Sequence, residues 1–199
     1  MRKLLDDIAQ CTLCAEHLPL GPRPVVTAHP ASKVVIIGQA PGIKVHESGV
    51  PWDDASGKRL REWLGVSEEK FYDPRLFALV PMGFCYPGKG KSGDLPPRQE
   101  CAPTWHRSLM EAMPALRWTI LIGAYAQKFY LSDNPFKTLT DTVRYGLDRF
   151  DRTICLPHPS PRNNIWLKKN EWFERELIPE LQLRIQGITG SISQKEEDF

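Results

Sequence analysis

An apolar run, Val34 to Ile37, breaks off in Gly38-Gln39-Ala40-Pro41-Gly42. This junction limits what the chain can fold into more than any other stretch. Four consecutive β-branched residues read as a buried strand. Continuous runs of that kind belong to parallel sheets covered on both faces by helices. The residues that follow, up to Gly57, are polar and interrupted by Gly and Pro, so they read as a loop and not a helix. A loop leaving the carboxyl end of a central strand is where open α/β sheets bind ligands. This one carries His46, Glu47, Trp52, Asp53 and Asp54, an aromatic face among titratable groups. A second polar cluster, His158-Pro159-Ser160-Pro161-Arg162-Asn163, follows another short apolar run. Two such loops at one sheet edge make a site.

The remaining chain alternates the same two element types. Leu4, Leu5 and Ile8 mark a short amphipathic helix; Leu76 to Val80, Trp118 to Ile122 and Thr153 to Leu156 read as further strands. Lys58 to Leu64, a short segment capped by Ser67, Glu100 to Met113 and Ala124 to Leu131 read as helices. Trp166 to Arg184 reads as one long terminal helix interrupted near Pro179, and Asp133 to Asp151 as irregular structure. Pro81 to Pro97 is a long loop dense in Gly, Pro and Lys, a length that usually signals function. The alternation predicts a single three-layer α/β domain, a central mostly parallel sheet flanked by helices. Its expected span is residues 1–185, with residues 186–199 a flexible tail.

The 199 residues carry a net charge of only +2, so nucleic-acid contact must come from a local basic patch. Nothing resembles a membrane span, and the first residues hold no apolar run of signal-peptide length, so the expected compartment is the cytoplasm. Five cysteines in such a chain favour metal binding or chemistry over disulfides. Cys11 and Cys14 form a C-x-x-C pair, while Cys85 and Cys101 stand downstream with fifteen residues between them. Four thiolates suit an iron–sulfur cluster or zinc; small buried cysteines are the other reading that spacing leaves open. Cys155 falls inside a core strand and reads as packing.

Taken together these residues resemble the uracil-DNA glycosylase superfamily, most closely its iron–sulfur, family-four branch. The motifs are Gly38 to Gly42, Gly49-Val50-Pro51-Trp52, His158-Pro159-Ser160 and the four cysteines Cys11, Cys14, Cys85 and Cys101. The extended His-Pro-Ser-Pro-Arg-Asn form is similar to the single-strand-selective branch. The resemblance implies a DNA glycosylase that removes a damaged base, uracil or another deaminated base, acting as a monomer in base-excision repair without any membrane partner. It also implies one [4Fe–4S] cluster on the four cysteines, zinc being the alternative cofactor. The chain departs from the pattern at two places. Gln39 stands where family-four relatives have an acid, and Pro81 where most relatives carry an Asn that reads uracil. Asp54-Ala55-Ser56 resembles the Gly-Asp-Ala-Ser segment of a branch that lacks the first acid.

The expected chemistry assigns roles. Breaking an N-glycosidic bond builds positive charge on the sugar and negative charge on the base, after the base has been extruded from the stack. His158 is expected to stabilise the leaving base, Asp54 to serve the sugar or water side, and Gln39 to assist. Gly38, Ala40, Gly42 and Trp52 are expected to hold the base, with Trp52 as stacking platform. Asp54 can equally cap a helix, and His46 and Glu47 are acid–base candidates of lower weight. Ser160, Arg162 and Asn163 are placed on a loop that enters the minor groove, and Lys89, Lys91, Arg98, Lys168 and Lys169 at phosphates. Two other classes fit parts of the pattern: a nucleic-acid-binding module that keeps the fold without the activity, and an iron–sulfur electron carrier, in which the His-Pro-Ser loop has no purpose.

Overall fold

The computed structural model describes residues 1–190. Four parallel strands form the central sheet: β1 (Val34–Ile37), β2 (Phe77–Leu79), then, beyond a small hairpin of β3 (Lys89–Gly90) and β4 (Gly93–Asp94), β5 (Trp118–Ile122) and β6 (Thr153–Leu156). The sheet order is β2-β1-β5-β6. In register, Ile37 lies beside Leu121 and Ile122 beside Leu156, so the chain leaves β1, β5 and β6 at the same edge. The strand order reverses between β1 and β5, the kind of switch point where a crevice opens.

Period-two alternation along β1 divides the core. Val34 and Ile36 pack with Leu60, Leu64, Phe173 and Leu181 on one face. Val35 and Ile37 pack with Ile8, Leu109, Leu121 and Cys155 on the other. The helices supplying these layers are α1 (Arg2–Ala9), α2 (Ile43–Ser48), α3 (Ala55–Leu64), α4 (Glu68–Tyr72), α5 (Cys101–Glu111), α6 (Gly123–Tyr130), α7 (Leu139–Arg149), α8 (Asn164–Lys169) and α9 (Ile178–Thr189). The three-layer α/β domain expected from the alternation is therefore present.

Several local expectations change. The polar stretch after β1 is not all loop: it folds α2, closed by Gly49 in the left-handed region (φ 74°), and α3 begins at Ala55, three residues before Lys58. Asp133 to Asp151 is not irregular throughout. Thr138 caps α7 by accepting from the Asp141 amide at 3.0 Å, and Thr142, Val143 and Gly146 are buried against the sheet. The terminal helix is two pieces. α8 stops at Lys169, and a π turn over Phe173–Leu177 leads into α9, where Pro179 sits in the first turn and its missing N–H costs nothing. Residues 186–189, expected to begin a tail, belong to α9, and Ile188 and Thr189 are buried. The rest of that expected tail, 191–199, lies outside the described residues.

Candidate active site

A crevice of about 420 Å³ opens where β1 and β6 end. Gly38, Gln39, Ala40, Pro41 and Gly42 line one wall, and His158, Ser160, Arg162 and Asn163 another. Trp52 and Asp54 come from the α2–α3 connection, Ser56 from the first turn of α3, and Ser92, Gly93 and Asp94 from the hairpin. All the residues expected to hold the base, serve the chemistry or meet DNA through the His158 loop thus meet around one cavity. Asp94, Ser56 and the whole hairpin were not foreseen. His46 and Glu47 lie outside it: His46 is buried on α2 with its ring 6.0 Å from that of Tyr86, and Glu47 is exposed.

Trp52 is held in the left-handed region (φ 58°), an uncommon state for a bulky residue. Its ring packs against Gly38, where a Cβ would come within 2.7 Å of Trp52 Cζ2. Glycine at 38 is therefore what lets the ring reach the strand exit. The Trp52 and His158 rings stand 5.8 Å apart at 34°. His158 Nδ1 accepts from the Ser160 amide at 3.2 Å. In the neutral ring the proton then sits on Nε2, available as a donor. Burial pushes the His158 pKa below its usual value, while the carboxylates of Asp54 and Asp94 pull it up. Asp54 is the cap that the sequence also allowed, and it stands at the crevice. Oδ1 caps α3 by accepting from the Gly57 amide at 2.8 Å, and the residue still lines the crevice.

The rim is cross-braced. Ser160 Oγ accepts from the Arg162 amide at 3.3 Å, and Asn163 Nδ2 donates to the His158 carbonyl at 2.7 Å. Arg162 Nη1 donates to the Ser92 carbonyl at 2.8 Å, clipping the His158 loop to the hairpin. Gly93 (φ +140°) packs directly against this guanidinium, so a side chain there would be strained and would displace the brace. Arg59 of α3 reaches the Ser160 carbonyl at 3.3 Å and Asn164 Oδ1 at 2.9 Å. Gln39 Nε2 turns to the Leu95 carbonyl at 3.5 Å. Behind the wall, His106 Nε2 lies 3.0 Å from the Pro81 carbonyl and Nδ1 2.7 Å from the Tyr130 hydroxyl. A carbonyl only accepts, so Nε2 carries the proton and Tyr130 donates to Nδ1. Burial lowers the His106 pKa to about 4.

Cys11, Cys14, Cys85 and Cys101 line a second, smaller cavity together with Phe84 and Arg98. The Phe84 amide points at Cys101 Sγ (3.4 Å). Burial pushes the Cys101 thiol up to about 12 and raises Cys14 and Cys85 as well. Among the described residues, no group of three His, Cys, Asp or Glu side chains is arranged to hold one metal ion. The guanidinium of Arg98 pairs with Glu100, and its Nε is buried without a partner among the described residues. Arg98 thus lines the cysteine cavity and not the crevice. Cys155 is buried in β6 and lines neither cavity, as a packing residue does. Lys89, Lys91, Lys168 and Lys169 are exposed, the first two on the hairpin and the last two in the final turn of α8.

A doubly covered parallel sheet with a polar crevice, lined by Trp52, at its switch point defines the class: a three-layer α/β protein with an open cleft at the carboxyl ends of its strands. The family model of the uracil DNA glycosylase superfamily matches residues 25–182. The chain belongs to that superfamily. Among the described residues no helix is long and apolar enough to cross a membrane.

Proposed function

We propose that this protein is a DNA glycosylase that hydrolyses the N-glycosidic bond of a flipped-out damaged base, uracil or another deaminated base. The observation that carries the reading is the convergence of Trp52, Asp54 and His158 on one crevice, with His158 held so that Nε2–H is its free donor. Trp52 gives the extruded base a face to stack on. As the C1′–N bond breaks, its electron pair moves onto the base, and the His158 Nε2–H donates to the base carbonyl where that charge collects. The Asp54 carboxylate faces the sugar cation and receives the proton of the water that adds to C1′. One chain supplies every one of these groups, so a monomer suffices.

The thiol set fits an iron–sulfur cluster better than zinc. Four thiolates around a cluster each hold a separate iron and stand wider apart than around a single ion. The buried, unpartnered Arg98 Nε beside them suits a dianionic group. Cys11, Cys14, Cys85 and Cys101 would hold such a [4Fe–4S] cluster, whose contribution is to tie the N-terminal segment to the loop after β2. A second reading, a binding module without activity, is favoured by Pro81, which offers no side-chain hydrogen bond and whose carbonyl is spent on His106. Single-turnover base release from oligonucleotides carrying uracil, hypoxanthine or alkylated bases decides between the two. Release of a deaminated base supports the glycosylase, and binding of every oligonucleotide with no release supports the module.

A further inference from the structure

Several polar groups around the crevice already have a partner. Gln39 donates to Leu95, Arg162 to Ser92 and Asn163 to His158, and the Pro81 carbonyl accepts from His106. Asp94 differs. It is exposed at the mouth, and no hydrogen bond or ion pair among the described residues engages its carboxylate. The side chain still faces inward: Oδ2 stands 3.4 Å from where a Cβ on Gly42 would lie, on the wall opposite the hairpin. Its charge is felt at the His158 ring. The hairpin that carries it is clipped at both ends, by Arg162 at Ser92 and by Gln39 at Leu95. Asp94 is thus a held acceptor with nothing to accept from.

We propose that Asp94 reads the captured base, accepting a hydrogen bond from its ring N–H while His158 donates to the neighbouring carbonyl. The assignment rests on the glycosylase reading. A carboxylate only accepts, and neutral imidazole with its proton on Nε2 here only donates. Side by side they match one ring edge, a C=O next to an N–H. Deamination creates that edge: cytosine and adenine present an amino group beside a bare ring nitrogen, and losing the amino group leaves a carbonyl and moves a proton onto the nitrogen. Uracil and hypoxanthine share the result despite their different ring sizes, and a crevice of about 420 Å³ admits either. Intact cytosine or adenine would set a lone pair against the carboxylate. Thymine and guanine carry the same edge but stay paired, and extruding a paired base costs more than extruding a mispaired one.

The test pairs deletion of the acceptor with deletion of the donor. Single-turnover release and oligonucleotide affinity are measured for uracil against N3-methyluracil and for hypoxanthine against N1-methylhypoxanthine, in wild type, Asp94→Ala and Asp94→Asn. Wild type should prefer each unmethylated base by at least about 10- to 100-fold, the scale of one hydrogen bond to a charged group. Asp94→Ala should lose a similar factor on uracil and hypoxanthine and shed much of the methyl preference. Asp94→Asn keeps an acceptor oxygen and should keep the preference. Wild-type rates in Asp94→Ala, or an undiminished methyl preference in that variant, would overturn the assignment. If wild type releases no base at all, the glycosylase reading falls by itself. The affinities then still judge Asp94: the same preference for N–H over N–CH₃ in wild type and Asp94→Ala removes it as reader.

Discussion

The crevice and the cysteine cavity are built from the same segment and by opposite rules. Pro81 and Asp94 face the crevice; Phe84, Cys85, Arg98 and Cys101 face the cavity. The crevice is open, and from its wall to its mouth stand groups with hydrogen-bonding capacity left over, His158, Asp54 and Asp94. The cavity is smaller and its thiols are half-buried; loss of water around Cys14, Cys85 and Cys101 raises their pKa values, against a partial pull downward from Arg98 on Cys14 and from the Phe84 amide on Cys101. His106 joins the two. Its ring stacks on Phe84 at 5.6 Å and 10°, and its Nε2 holds the Pro81 carbonyl. The difference teaches a division of labour: one end of the segment is fixed so that the other can present unsatisfied groups in a defined place.

The largest expected effect falls on the cavity. Cys85→Ser should abolish iron binding and lower the melting temperature sharply, since metal held only by the folded state adds its binding free energy to stability. Cys155→Ser should leave iron content unchanged. Iron analysis and visible absorption on anaerobically purified protein provide the check. Colourless protein with stoichiometric zinc would break the cluster half of the comparison, and iron loss in Cys155→Ser would redraw the cavity.

Next comes the crevice. His158→Ala and Asp54→Asn should each slow base release by about 10²–10³-fold, as removal of a preorganised electrostatic group typically does. Iron content should not change in either variant. Release at the wild-type rate in His158→Ala would dismiss it from the chemistry. A joint loss of activity and iron would show that the two regions do not act separately. Asp54→Asn also weakens the cap on α3, so its melting temperature must be compared before its rate is interpreted.

The two regions were not equally legible in the sequence. The β-branched run of β1, its Gly-rich exit, the His158 loop and the cysteines are local signals, and the structure sets each of them where it serves one of the two cavities. α2 was hidden because six residues starting after Pro41-Gly42 show too little periodicity to register. α7 was missed although Thr138 and Asp141 spell a capping pattern; Asn134-Pro135 just before them is a turn signal that does not extend to the helix. Asp94 could not be found locally at all. It reaches the crevice only because a hairpin folds over it, and what fixes the hairpin is a hydrogen bond between Arg162 and Ser92, 70 residues apart. The same bond gives Arg162 a second task as a brace through Nη1, with the rest of its exposed guanidinium left for other partners.

A smaller effect concerns the joint. The folded His106 pKa, about 4, lies below its ordinary 6.5. Between those values the unfolded chain binds the extra proton and the folded chain does not. Stability contributed by neutral His106 is therefore complete above pH 6.5, falls as pH drops toward 4, and is gone below that. The difference corresponds to roughly 3 kcal/mol. Urea unfolding from pH 7.5 to 4 should show a decline that is flattened in His106→Gln. An equal decline in both proteins would mean that His106 does not couple the regions through its charge state. The burial of His158 pushes in the same direction and stays in both proteins.

The smallest effect lies outside both cavities. Lys168 and Lys169 are exposed in the last turn of α8, directly after the His158 loop. If the crevice faces DNA, these charges lie along the strand that enters it, and they contact phosphates without reading bases. Lys168→Ala with Lys169→Ala should weaken binding to damaged and undamaged oligonucleotides alike and reduce the slope of log K against log salt by about 1 to 2. Base preference should not move, because phosphate contacts position the protein and carry no sequence information. An unchanged slope would take α8 off the interface. A changed base preference would mean that α8 acts on the crevice through the rim, where Arg59 already ties Asn164 to the Ser160 carbonyl.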